Sequence, residues 1–201
     1  LARRLAGRAV PAGRALLWEY PFAYGPAAPW TSGMAQAVAA QALARTGRAS
    51  GDVGLLAAAR RARRGLDGLL DERAEGPWVR LYSAGGPVVL NAQLQAALAV
   101  GDYATIARDR PAARLAERLR AAARALLLRF DTGFWSRYAL DGPLASAHYH
   151  RYVAGLSCWS TGRRRAGASS ARGRRCARRA NRDGRCKPAP AVGRSGARSS
   201  S

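Results

Sequence analysis

Lysine is nearly missing from this chain: Lys187 is the only one among 34 basic residues, and the others are arginine. Isoleucine is reduced to Ile106, while alanine dominates the apolar set, a substitution pattern that codon bias in a GC-rich gene explains. No run of 18 or more apolar residues occurs, which excludes a transmembrane helix. The basic start "LARRLAGRAVPAGRALLWEY" lacks the continuous apolar stretch and small-residue cleavage site of an export signal, and no compartment is assigned. The only methionine is Met34, so we expect the sequence to begin inside a longer reading frame. Only two histidines, His148 and His150, are present, which leaves no third ligand for a histidine metal site. The three cysteines, Cys158, Cys176 and Cys186, show no C-x-x-C spacing, and neither zinc nor a disulfide is expected.

What is present is positive charge, a formal +22 at pH 7. Residues 157–201 hold 12 arginines and Lys187 against Asp183 alone, a net +12, and residues 1–156 carry the remaining +10. A chain of 201 residues suffices for one domain with a real core.

Helical periodicity begins after a Pro/aromatic entry, "WEYPFAYGPAAPW". Thr31 and Ser32 offer N-caps to a first helix, "GMAQAVAAQALARTG", which Gly47 should close. In the next segment Leu55, Ala59, Ala62, Leu66 and Leu69 recur every three or four residues, with Arg60, Arg61, Arg63 and Arg64 on a solvated face. A turn-rich stretch with a short apolar piece near Val79 to Tyr82 leads to a third helix carrying Leu90, Leu94 and Leu98, with Gly101 as its stop. Pro111 opens a fourth, striped by Leu115, Leu119, Ala122 and Leu126, and a fifth starts near Ala147. These starts imply antiparallel helix pairs repeating every 55 to 60 residues or so, without clear sequence self-similarity. The expected class is therefore all-α, with a basic segment at 1–17, a helical domain at 18–156 and a disordered basic tail at 157–201. The tail reads as an out-of-frame translation, as an appendage without function, or as a nucleic-acid arm that lacks the aromatic residues needed to stack bases.

Four stretches in fixed order, "APWTSGMAQAVAAQALARTG" (28–47), "GPVVLNAQLQAAL" (86–98), "FDTGFWSRYAL" (130–140) and "SAHYHRYVAGL" (146–156), resemble the C-terminal helical domain of D-glucuronyl C5-epimerase. That resemblance implies an incomplete (α/α) toroid and the conversion of D-glucuronic to L-iduronic acid residues in heparan-type polysaccharides or related polyuronates. By position it implies three catalytic tyrosines: Tyr138 in "DTGFWSRYAL", Tyr149 in "AHYHRY" and Tyr82 in "RLYSAGGPVVLN". The chain departs from the family pattern at Arg80 and Leu81, where acidic residues are usual, at Ala92, where glycine is usual, and at Ala139, again in place of an acidic residue. Helices expected to follow "YHRYVAGL" are replaced by the basic tail.

Inversion at C5 removes a proton α to a carboxylate from one ring face and returns one to the other, so two proton-transfer groups must flank one carbon. The enediolate formed needs neutralising, which arginine does as a permanent bidentate cation; Arg137 and Arg151 are the local candidates. Ser146 caps the last helix and sets Tyr149 in its first turn, where the helix dipole favours negative charge on oxygen. Asn91 and His150 are candidates to hydrogen-bond sugar hydroxyls, though a helix-boundary or packing role accounts for each as well. Trp30, Trp78 and Trp135 fit either sugar stacking or the core, Met34 and Gln36 fit the entry of the first helix, and Tyr152 and His148 read as ordinary residues. No cofactor is called for. The partner expected is an acidic polysaccharide, which the positive charge attracts, with homodimerisation left open, and without specific nucleic-acid binding or membrane insertion. A non-catalytic, truncated carbohydrate-binding domain is the second reading; a hydrolase is disfavoured because Asp131 and Asp141 are the only acids among the tyrosines.

Overall fold

A computed structural model describes residues 1–23 and 28–160, with side chains through residue 156. Its helices are α1 (Ala2–Gly7), α2 (Gly33–Ser50), α3 (Val53–Gly65), α4 (Leu90–Ala107), α5 (Arg110–Phe130) and α6 (Ala147–Ser160). The chain is not all-α as periodicity led us to expect. Three two-stranded antiparallel sheets intervene: β1 (Val10–Ala12) with β2 (Ala15–Leu17), β3 (Glu19–Tyr20) with β4 (Trp30–Thr31), and β5 (Leu70–Arg73) with β6 (Gly76–Val79). Strands of two to four residues are too short for the alternation that betrays a strand, so these stretches read as turns in the sequence. The first hairpin turns at Gly13, whose φ of 57° suits glycine. α6 runs through Ser160, past the boundary expected at Leu156; the rest of the tail expected to be disordered, 161–201, lies outside the described residues.

The helix starts follow from their caps. Ser32 Oγ accepts from Ala35 N, Asp52 Oδ1 from Gly54 N and Leu55 N, and Asp109 Oδ1 from Ala112 N, with Pro111 in the first turn of α5. The ends differ from expectation. Gly47 and Gly101 lie inside α2 and α4, which stop at Gly51 (φ 69°) and Arg108 (φ 53°), the residues that take the left-handed turn. Gly47 instead permits close packing: a Cβ there would come within 3.0 Å of Leu56 and 3.1 Å of Asp52 O.

The short links between α2 and α3, and between α4 and α5, make two antiparallel hairpins of helices. α2 packs on α3 and α4, and α4 on α5 and α6, so α2, α4 and α6 lie side by side and α3 and α5 back them. The expected stripes are core: Leu55, Ala59, Ala62, Leu66, Leu69, Leu115, Leu119, Ala122 and Leu126 are all buried, as are Leu90 and Leu94. Leu16 of β2 is buried with them.

A constant step links the units. α2 begins at Gly33, α4 at Leu90 and α6 at Ala147, each 57 residues after the last; the caps Asp52 and Asp109 and the turn residues Gly51 and Arg108 keep the same spacing. Equivalent positions touch across neighbouring helices, since Arg45 of α2 pairs with Asp102 of α4, and Tyr152 of α6 donates to Gln95 Oε1 of α4 at 2.8 Å. The connecting loops repeat as well: Ser83 N donates to Thr31 O, and Leu140 N to Val88 O, both at 2.8 Å. This register brings the entries of α2, α4 and α6 together.

Candidate active site

Between α5 and α6, residues 131–145 form a tight double-back held by backbone bonds. Asp131 bridges Ser136, Arg137 bridges Leu144, and Ala139 bridges Val89 at the entry of α4. Asp131 Oδ1 accepts from Gly133 N at 2.8 Å, and Gly133 sits at φ 89°, a conformation other residues resist. Arg137 N donates to Phe130 O at 2.8 Å and Tyr138 N to Pro143 O at 3.0 Å, which fixes the backbone that carries Tyr138.

Tyr138 is half-buried against Val89, Ala92 and Ala139, with Met34 and Leu81 in the same cluster. Its ring meets Tyr149 edge-to-face, with centroids 5.0 Å apart and planes at 74°. Tyr149 occupies the first turn of α6, where its backbone N–H donates to Ser146 Oγ at 3.4 Å, and its side chain is exposed. Two tyrosines singled out in the sequence are thus brought into contact. Tyr82 belongs to a second aromatic group: its ring stands edge-on to Trp30 at 5.1 Å, and Trp30 stacks on Tyr20 at 4.3 Å. The adjoining Leu81 joins the cluster around Tyr138, so the two groups adjoin through one residue.

Close to the pair in sequence, Arg137 is half-buried and its Nη1 donates to Gly142 O at 2.9 Å, while Arg151 is exposed on α6. Neither forms an ion pair with a carboxylate among the described residues. The two acids of the region are occupied otherwise, Asp131 by the Gly133 amide and Asp141 by Arg129 Nη2 at 2.7 Å. Asn91, in the first turn of α4, is 8 % exposed, and its side chain has no hydrogen-bond partner among the described residues. His150 is stacked on Trp135 at 4.1 Å and 10°, with Nδ1 3.0 Å from Ser136 Oγ. Tyr152 titrates above the ordinary phenol range, first because burial disfavours the phenolate and then because of Tyr149 beside it.

The structure also separates the tryptophans. Trp30 and Trp78 are core residues, Trp78 stacked on Phe130 at 6.1 Å, whereas Trp135 stays half-buried and donates Nε1 to Ala145 O at 2.6 Å. Two hollows of about 100 and 220 Å³ lie elsewhere, lined by residues such as Arg60, Arg48, Pro111 and Tyr103. They contain none of the tyrosine-site residues. Among the described residues no three His, Cys, Asp or Glu side chains gather as metal ligands, and no helix is long and apolar enough to cross a membrane.

Sequence reasoning missed Ser136, whose hydroxyl holds His150, and the packing of Met34 near Tyr138. No local motif marks either; the 57-residue step that puts His150 in line with Gln93 and Gln36 emerges once the helix starts are placed.

A search of curated proteins finds no match to this chain. The family model described as D-glucuronyl C5-epimerase C-terminus matches residues 13–158, a span that begins in the first hairpin, takes in every helix from α2 to α5 and both contacting tyrosines, and ends within α6. The chain belongs to the D-glucuronyl C5-epimerase C-terminus family.

Proposed function

We propose that this domain inverts C5 of uronic acid residues, D-glucuronate to L-iduronate, in a heparan-like acidic polysaccharide. The observation that carries the reading is the contact between the half-buried Tyr138 and the exposed Tyr149; Arg137 and Arg151, their near neighbours in sequence, form no ion pair with a carboxylate among the described residues. One phenolate oxygen takes the C5 proton, and the C–H electron pair moves into the uronate carboxylate as an enediolate. The other phenol returns a proton to the opposite face of C5, leaving the first tyrosine protonated. No redox change occurs. Arg137 and Arg151 stabilise the dianionic enediolate, Asn91 donates to a sugar hydroxyl, and Tyr82 assists at the edge of the site. Substrate entry needs the exposed Tyr149 ring to rotate off Tyr138, and exposed side chains do so on the picosecond to nanosecond scale.

Engagement of Asp131 and Asp141 in structural bonds weighs against a two-carboxylate hydrolase. The test is incubation of an unsulfated glucuronate–glucosamine polymer in deuterated water. Deuterium at C5 without chain cleavage is the expected result. Cleavage would point to a lyase, and binding without deuterium uptake to a carbohydrate-binding domain; either overturns the proposal.

A further inference from the structure

Three residues stand at the fourth position of the three parallel helices: Gln36 in α2, Gln93 in α4 and His150 in α6, each 57 residues from the next. Gln36 is 1 % exposed, and its Nε2 donates to Leu16 O in β2 at 2.5 Å and to Ala62 O in α3 at 2.8 Å. Gln93 is fully buried; its Nε2 donates to Pro77 O in β6 at 3.0 Å and to Leu119 O in α5 at 2.9 Å, and its Oε1 accepts from Val79 N at 2.8 Å. In both units this side chain ties the hairpin before the helix to the helix after it, and in both the second carbonyl lies 26 residues on.

His150 likewise reaches back to the segment before its helix, at the spacing of the Gln93–Val79 bond but to a side-chain hydroxyl. Val79 lies 14 residues before Gln93, and Ser136 lies 14 residues before His150. Ser136 is therefore the counterpart of Val79, Trp135 the counterpart of Trp78, and the bond between His150 Nδ1 and Ser136 Oγ replaces the one that Gln93 Oε1 accepts from Val79 N. The position equivalent to Ala62 and Leu119 is residue 176, outside the described residues. A glutamine offers one acceptor and two donors to three backbone groups, whereas an imidazole offers two nitrogens and a flat face. The flat face is used, because the Trp135 ring lies parallel to it at 4.1 Å.

We infer that His150 is a positioning residue for the two tyrosines: by holding Ser136 and Trp135 it fixes the 131–145 segment against the first turn of α6. The bond joins the two stretches of backbone that matter. Ser136 is two residues before Tyr138, and His150 directly follows Tyr149. Ser136 O accepts from Ala145 N at 2.9 Å and Trp135 Nε1 donates to Ala145 O, so the strand that bears Tyr138 and the approach to α6 are both gripped at the same point. Without the imidazole, the 131–145 segment keeps its own backbone bridges but loses the hydrogen bond and ring stack to α6 that stand beside the Tyr138–Tyr149 contact, and the two tyrosines lose their common frame. The effect on catalysis rests on the epimerase reading; the effect on the segment does not.

The experiment compares His150→Ala, Ser136→Ala and His150→Gln with the parent chain by amide hydrogen exchange and by C5 deuterium uptake. For H150A and S136A, exchange of the amides in 131–145 rises about tenfold, the equivalent of one lost part-buried hydrogen bond, while α2 to α4 are unchanged. Under the epimerase reading kcat falls at least as much with KM unchanged. H150Q, which installs the residue of the other two units, recovers most of the protection and of kcat. If H150A does not fold, S136A breaks the same bond with the imidazole kept and decides the matter. Unchanged exchange across 131–145 in a folded H150A or S136A chain overturns the inference, as does a rise in KM with kcat and exchange unaffected, which would make His150 a substrate contact. Loosened exchange in a chain whose parent shows no C5 uptake leaves the positioning role standing and removes the epimerase reading alone.

Discussion

Gln93 repeats, 57 residues later, the bonds of Gln36: each buried amide nitrogen donates to a strand carbonyl before it and to a helix carbonyl 26 residues after it. Gln93 adds a third bond, accepted from Val79 N. Replacement by leucine keeps the volume but leaves buried backbone groups unpaired, a cost of about 1–3 kcal/mol per group before relaxation. Gln93→Leu should therefore destabilise by roughly 3 kcal/mol or more, and by more than Gln36→Leu, in urea denaturation. The opposite order would show that these amides are not the ties between hairpin and helix.

Two glycines mark where backbone meets backbone. A Cβ on Gly33 would lie 2.6 Å from Arg80 O, and one on Gly65 would lie 2.8 Å from Leu16 O and 2.7 Å from Gln36 Nε2. Gly33→Ala and Gly65→Ala should each cost about 1–3 kcal/mol through overpacking. Gly155 in α6 has nothing within 4 Å of the added carbon, and Gly155→Ala should stabilise by up to roughly 1 kcal/mol. Melting temperatures moving down for the first two and up for the third would check this; three equal shifts would contradict the close approaches.

Tyr103 supplies a pH dependence. Its hydroxyl donates to Asp109 Oδ2 at 3.2 Å, and its pKa is pushed up to about 12, mainly by burial and then by the Asp109 charge. A folded pKa above the unfolded value near 10 means that the fold holds the proton more tightly. The contribution is complete below pH 10 and is lost as pH rises toward 12. With solvent screening discounted, the loss is about 1–2 kcal/mol. Urea midpoints measured from pH 9 to 11.5 should fall for the parent and fall less for Tyr103→Phe.

At the site, Tyr138→Phe and Tyr149→Phe should each lower C5 deuterium uptake about 10²-fold or more, the usual scale for a lost acid or base. Tyr82→Phe should have a smaller effect. Tyr152→Phe removes one exposed bond to Gln95 and should change uptake less than twofold, with stability within about 1 kcal/mol. Retained uptake in both Y138F and Y149F would dismiss the tyrosine pair.

Arg151 lies in the open and Arg137 is tied to Gly142 O. Arg151→Ala should raise KM without unfolding the chain, by about tenfold for one lost charge-assisted contact. Arg137→Ala should in addition loosen the Tyr138 segment and lower kcat. Identical kinetics for the two variants would argue against this division of roles.

Much of the helical frame was legible because its signals are local. The stripes through Leu55 to Leu69 and Leu115 to Leu126, and the caps at Ser32 and Ser146, act over three or four residues and are visible in the string. Local cues also misled. Gly47 and Gly101 look like stops, yet the left-handed turns fall at Gly51 and at Arg108, a residue no rule would choose. The hairpins stayed hidden because Pro11, Glu72 and Pro77 carry no strand pattern; pairing with the partner strand makes them strands. The site was half legible: family motifs named Tyr138 and Tyr149, but Ser136 has no motif.

The sequence by itself determined the helix pairs, their approximate repeat and the family, since amphipathic period, capping chemistry and motif order are properties of neighbouring residues. Only the tertiary structure decided that the step is a uniform 57, that Gln36, Gln93 and His150 are equivalent, and that Tyr138 touches Tyr149 while Tyr82 packs on Trp30. The reason is physical. Buried backbone groups in the hairpins must find partners, and the side chains that satisfy them, 14 to 20 residues away, reach them only when the helices have packed.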